Sequence, residues 1–325
     1  MKAEILRLIR ANDGITCRQI CEKLHMSKGA VERIVAQLVA EGYDIEEDEE
    51  KGYVMYSYPE FITSHELMSR VTTKWAGRTV YFRKETASTN EDAAELAGEG
   101  KEHGTLVVTD YQTAGHGRCG RGWEAEQGDS IAMTLLLRPK VKPDKASMIT
   151  LVMALAVADV LSKLTEETVK IKWPNDILVN NKKVCGILTQ MDTKPDKVNY
   201  VIVGVGINVN NCIFSPEVSK IASSLLNETG NKYSRADIII GIMDHFEYYY
   251  DMFEEIGDLS FMVSMYDGYL VNKDKEVRVL DPKGEFTGTA DGINDYGELI
   301  VQKEDGSFTR VDSGEVSVRG IYGCV

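Results

Sequence analysis

Long apolar runs are missing from this 325-residue chain. The longest, around positions 151–161, is broken by Asp159, so no segment is expected to cross a bilayer. Met1-Lys2-Ala3-Glu4 mixes charges and lacks the apolar stretch of a secretory signal, and a cytoplasmic protein with no membrane partner is expected. Cysteine is sparse, and Cys17, Cys21, Cys119, Cys185, Cys212 and Cys324 are scattered, which argues for free thiols over a disulfide framework. Positive charge is in deficit: 37 Lys and Arg face 51 Asp and Glu, for a net charge of −14. Indiscriminate attraction to nucleic-acid phosphates is therefore not expected, and any nucleotide or DNA contact must come from local basic islands. No G-x-x-x-x-G-K-[ST] is present, so any ATP chemistry is not of the P-loop kind.

What is present is enough for two or three domains, with 43% hydrophobic and 27% charged residues. Positions 1–60 carry three short amphipathic patterns and then two strand-like pieces around an acidic turn, the pattern of a winged helix-turn-helix. In a DNA-binding reading the third helix enters a major groove with Ser27, Lys28 and Arg33 facing outward. The wing opposes this, because Asp44, Glu46, Glu47, Asp48, Glu49 and Glu50 stand against Lys51 alone; a protein-docking or vestigial module is the alternative. Cys17, Cys21 and His25 share a helical face, but the cysteines lie on its apolar stripe and core packing is the expected role. Positions 61–270 mix clustered strands with helices, an α+β pattern, and positions 271–325 read as short strands of a small β-barrel.

Three stretches carry polar chemistry. Gly115, Gly117 and Gly120 make a formal G-x-G-x-x-G, but the chain continues through Trp123 into the strand-like run 131–137 and not into a helix, so a dinucleotide fold is rejected. Glycines interleaved with His116, Arg118 and Arg121 instead suit a loop that closes over an anion. In Lys172-Trp173-Pro174-Asn175-Asp176, followed by the turn Asn180-Asn181, a two-residue hairpin would pair Leu178 with Lys183 and bring Asp176 diagonally near that lysine. Ser88-Thr89-Asn90-Glu91 reads either as a helix capping box or as a polar ligand site at a helix start. Gly204 and Gly206 in an apolar strand mark close approach of another strand or a ligand. No Ser/His/Asp or Cys/His nucleophile arrangement stands out.

Taken in order and spacing, these motifs, with Lys183 ahead of Cys185-Gly186-Ile187-Leu188 and with Gly204-Val205-Gly206-Ile207-Asn208, resemble the biotin protein ligases. The N-terminal winged helix makes the chain similar to the bifunctional bacterial type that also represses biotin genes. The resemblance implies an α+β protein of three parts: a winged helix, a central mixed-sheet ligase domain and an SH3-like C-terminal barrel. It implies ATP and biotin as substrates with Mg²⁺ expected, a biotin carboxyl carrier domain as acceptor, operator DNA, and a ligand-promoted homodimer. By position, Ser88, Thr89, Asn90 and Gln112 match residues that bind biotin's ureido ring. His116, Gly117, Arg118 and Lys183 match those around the carboxylate and phosphate; Arg121, Trp123, Asn175 and Asn208 match the nucleotide site; Asp176 is a candidate proton acceptor. Glu315 and Arg319 match barrel residues facing the active site, and positions 211–223 match a loop that covers the adenylate. His116 departs from the family's usual arginine, replacing a permanent charge by an imidazole. A lipoate protein ligase and a non-catalytic sensing repressor are the other readings.

Overall fold

The computed structural model describes residues 1–118, 122–123, 126–280, 284–312 and the backbone of 317–320. Arg121 and Glu315 lie outside the described residues, and of Arg319 only the backbone is described.

The first part is the expected winged helix: α1 (Lys2–Arg10), α2 (Cys17–Leu24), α3 (Lys28–Ala40) and the hairpin β1 (Asp44–Asp48) with β2 (Gly52–Ser57). Ile5, Leu6, Ile9, Ile20, Val31, Val35 and Leu38 form its core, with Cys17 and Cys21 packed at the margin as expected of small apolar side chains. His25 ends α2 in the left-handed conformation, at φ 53°.

A seven-stranded mixed sheet follows, in spatial order β3-β4-β5-β9-β8-β7-β6: β3 (Val80–Arg83), β4 (Thr105–Thr109), β5 (Ser130–Leu137), β6 (Val169–Lys172), β7 (Asp176–Val179), β8 (Lys182–Lys194) and β9 (Lys197–Asn208). Side chains alternate across a strand, so each face of this sheet has its own sequence. Ile131, Met133 and Leu135 with Val203, Val205 and Ile207 belong to the main core, which includes α6 (Ile149–Thr165) and α8 (Arg235–Ile256). Along α6, helix and preceding 3-10 turn together are long and apolar enough, by length and composition, to cross a membrane, contrary to the sequence expectation. Most of that stretch is buried inside the protein, as befits a helix that is apolar nearly all round. Asp159, which breaks the run, accepts a hydrogen bond from the Tyr249 hydroxyl. The opposite face of the sheet is covered by α5 (Thr89–Gly98), whose Ala93, Leu96 and Ala97 pack on Val107, Leu136 and Ile202. Beyond α5 that face carries Gly204, Gly206 and Asn208 of β9, and there the polar motifs gather.

Two further helices, α4 (Ser64–Arg70) and α9 (Val263–Tyr269), join the parts, with the short α7 (Leu225–Thr229) between β9 and α8. The last part is a five-stranded antiparallel sheet in order β13-β12-β11-β10-β14, made of β10 (Lys275–Leu280), β11 (Phe286–Ile293), β12 (Leu299–Gln302), β13 (Phe308–Val311) and β14 (Ser317–Gly320). Trp173 anchors it: the indole is 2% exposed, its Nε1 donates to Gly297 O at 3.1 Å, and its backbone N–H donates to Asn272 Oδ1 at 3.0 Å. The tryptophan of the Lys172–Asp176 motif is thus a joint between two sheets and lies away from the polar face.

Candidate active site

The floor of the site is β9. Gly204, Gly206 and Asn208 alternate onto one face, and Gly186 of β8 pairs with Gly206. The missing side chains are needed for room. A Cβ on Gly206 would stand 2.7 Å from Trp123 Cε2, and one on Gly204 would run into the Asn90 amide oxygen. The close approach read from these glycines is therefore made by two side chains of the site itself.

Above Gly204 sits the N-terminus of α5. Ser88 is its N-cap, but its hydroxyl makes no capping bond, so of the two readings of this stretch the capping box is not formed. Helix geometry leaves those first N–H groups without internal partners, and the Thr89 N–H donates to Gln112 Oε1 at 2.8 Å. The Thr89 hydroxyl is 3.1 Å from the same oxygen and 2.8 Å from the Thr134 hydroxyl, which also lies 2.7 Å from Asn90 Oδ1. Asn90 Nδ2 donates to Gln190 Oε1 at 2.7 Å. Ser88, Thr89, Asn90 and Thr134 are all buried. Thr134 and Gln190 were not picked out from the sequence. A polar residue inside the otherwise apolar run of β5 was the signal available for Thr134.

Of the glycine-rich segment, residues 115–118 and 122–123 are described. Trp123 N–H donates to Gly115 O at 2.8 Å and His116 bridges to Gly122, which brings these two described pieces side by side. Arg118 Nη1 donates to Asn175 Oδ1 at 3.1 Å, while Asn175 Nδ2 donates to Ile187 O at 2.9 Å, so the hairpin holds the loop's cation. His116 is exposed, with Nδ1 3.2 Å from Ala114 O.

The hairpin has the expected register. Leu178 pairs with Lys183, and Asn180 and Asn181 take φ 49° and 67°, the left-handed pair of a type I′ turn. A bulge between Ile177 and Leu178 accompanies a direct ion pair of Lys183 Nζ with Asp176 Oδ1 at 2.6 Å. Segment 211–223 is stitched to the same strand: Lys183 N–H donates to Ile221 O at 3.0 Å, and Lys182 Nζ donates to Ser219 O and Lys220 O. Asn208 Nδ2 donates to Ser223 O at 3.0 Å, whereas Asn208 Oδ1 and Trp123 Nε1 are buried without partners among the described residues. Orphaned polar atoms are costly unless something meets them. Among the described residues no group of three or more His, Cys, Asp or Glu could hold a metal ion.

The winged helix offers a second candidate surface. Ser27, Lys28 and Arg33 are exposed on α3, Lys28 facing Glu32 at 3.5 Å. The mild basicity of this part is only partly on offer, because Arg7 donates to Met68 O, Arg10 binds the buried Glu66 at 2.6 Å and Lys2 pairs with Glu41. Glu66 also accepts from the Tyr43 hydroxyl at 2.7 Å, and burial beside this carboxylate pushes the phenol's pKa up. These contacts clamp α1 to α4.

Comparison with known proteins matches residues 81–208 to the biotin/lipoate A/B protein ligase family, 274–319 to the biotin protein ligase C-terminal domain and 2–43 to a winged helix-turn-helix DNA-binding domain. The bifunctional ligase/repressor BirA of Bacillus subtilis is 35% identical over 297 residues, covering 91% of both chains. The chain belongs to the biotin protein ligase family. Among these ligases, BirA of Escherichia coli is 25% identical over 97% of this chain and 96% of its own. The Aquifex aeolicus ligase solved with biotin and ATP superposes with a TM-score of 0.67 at 29% identity, covering 75% of this chain and 99% of its own.

Proposed function

We propose that this ligase joins biotin to ATP as biotinyl-5′-AMP and passes biotin to a lysine of a biotin carboxyl carrier domain. The observation that carries this reading is the convergence of Arg118, Lys183 and the Thr89–Gln112 group on one face of the sheet. A carboxylate is a poor acyl donor. In the first half-reaction its oxygen attacks the α-phosphorus of ATP and pyrophosphate leaves; in the second, the lysine amine attacks the acyl carbon and AMP leaves. Two anions must meet in the first step, and fixed cations lower that barrier by electrostatic preorganisation. Arg118 and Lys183, with His116 and Gly117, take the carboxylate and phosphate. Ser88, Thr89, Asn90 and Gln112 line the ureido end. Trp123, Asn175 and Asn208, with Arg121, serve the nucleotide. Asp176, held by Lys183, accepts the proton of the incoming amine. ATP enters as its Mg²⁺ complex. The division of labour follows 1–60, 61–270 and 271–325, and the cytoplasm is the place of action.

Biotin-dependent exchange of labelled pyrophosphate into ATP tests this. Exchange with biotin is expected; dependence on lipoate, or none, overturns it.

The winged helix favours a second role. With Ser27, Lys28 and Arg33 presented on α3, adenylate-loaded protein, as a homodimer, represses biotin genes by binding their operator. A gel shift on the biotin operator region with and without biotin plus ATP checks it, and a shift unaltered by both ligands would refute the coupling.

A further inference from the structure

Thr134 stands outside every motif, yet it is fully buried at the centre of the group beneath the helix start. Its partner across the β5–β9 ladder is Gly204, and the Asn90 amide occupies the space which that glycine leaves. Resting on the biotin ligase reading above, we propose that Thr134 is a positioning residue for biotin's cyclic urea. Through it, Asn90 is spent on the scaffold and Thr89 is turned into a hydrogen-bond acceptor toward the ligand.

Counting protons gives this assignment. Asn90 Nδ2 donates to Gln190 Oε1 at 2.7 Å and approaches Leu188 O at 3.5 Å, which fixes Oδ1 toward Thr134. An amide oxygen only accepts, so the single Thr134 proton goes to it. The Thr89 hydroxyl has its own single proton, and both neighbours within reach, Thr134 Oγ1 and Gln112 Oε1, are acceptors for it. Whichever takes it, Thr89 keeps only lone pairs for a ligand. Gln112 Oε1 is engaged by the Thr89 backbone N–H, so Nε2 is the free end and donates. An acceptor beside a donor complements a urea, which offers N–H and C=O side by side; the dithiolane of lipoate offers neither. A site built to pair such groups rejects analogues that lack them.

Thr134→Val keeps the volume and removes the proton. Its apparent KM for biotin in pyrophosphate exchange should rise at least 10-fold, with KM for ATP and kcat within about threefold of wild type. Thr134→Ser should restore biotin KM to within about threefold. Unchanged biotin KM in the valine variant overturns the inference. So does an equal rise in both KM values, or a serine variant as impaired as valine, since these mark a packing role. Wild-type protein in the same assay separates the two levels: no biotin-dependent exchange there would instead bring down the ligase reading itself.

Discussion

The two ends of the site are built in opposite ways. At the α5 end, Thr89, Asn90, Gln112, Thr134 and Gln190 satisfy one another, and the hydrogen-bond polarity presented outward is already set. At the hairpin end, Lys183 and Asp176 pair at 2.6 Å, while Asn208 Oδ1 and Trp123 Nε1 are buried with nothing among the described residues to bond. A neutral ring is recognised by preset donors and acceptors whose ordering is complete before binding, so little is lost on association. Charge that develops during reaction is met by cations and unspent polar atoms, whose value is realised only when their partners arrive. In the proposed assignment of roles, the site is a finished template joined to an unfinished electrostatic clamp.

Lys183→Met should break the clamp without touching the template. It removes the cation and leaves Asp176 aimed at the anions, so adenylate formation should fall about 100- to 1000-fold. Biotin methyl ester, which has the ring but no carboxylate, should bind this variant as it binds wild type; weaker ester binding by calorimetry would show that the two ends are not separate. Gly204→Ala is the converse. Its Cβ would collide with Asn90 Oδ1 and push the helix start off the sheet. A displacement of about 1 Å can cost about 100-fold, and here the loss should appear in biotin and ester affinity, with KM for ATP unchanged. Asn208→Ala should be milder. Losing one hydrogen-bonding amide is worth about 1 kcal/mol, so KM for ATP should rise about fivefold while biotin affinity stays constant.

How much of this was legible beforehand depended on where the signal lay. The sequence pattern reads 105–109 and 169–172 as strands, the first an apolar run after Gly104 and the second an alternation ending before Pro174, and these are the observed β4 and β6. The apolar pattern reads strands over 184–190 and 200–209; the observed β8 and β9 run out to Lys194 and Lys197, where side chains are mostly exposed and carry no hydrophobic period. The Asn180-Asn181 turn fixed the hairpin register, and with it the meeting of Lys183 and Asp176, because turn chemistry is local. Ser88 looked like a helix cap but makes no capping bond; helix-start residues serve caps and ligands with the same atoms. The roles of Thr134 and Glu66 escape the sequence for one shared reason. Each is a single polar residue whose partners lie far away in sequence, such as Asn90 for Thr134 and Arg10 for Glu66, and no spacing rule reaches that far.

The smallest effect concerns His116, where the clamp meets solvent. Its Nδ1 faces Ala114 O at 3.2 Å, so a neutral ring that donates there turns the lone pair of Nε2 outward, and only the protonated ring can donate from Nε2 to an anion. A guanidinium in this place carries a permanent charge and donates from several N–H groups at once. His116→Arg should therefore slow release of the adenylate by about two- to fivefold, the range of an exposed ion pair. Chase of labelled adenylate measures it, and equal release rates for the two proteins would remove His116 from the clamp. The α5 template, lying on the far side of Gln112, should bind biotin methyl ester equally in both proteins.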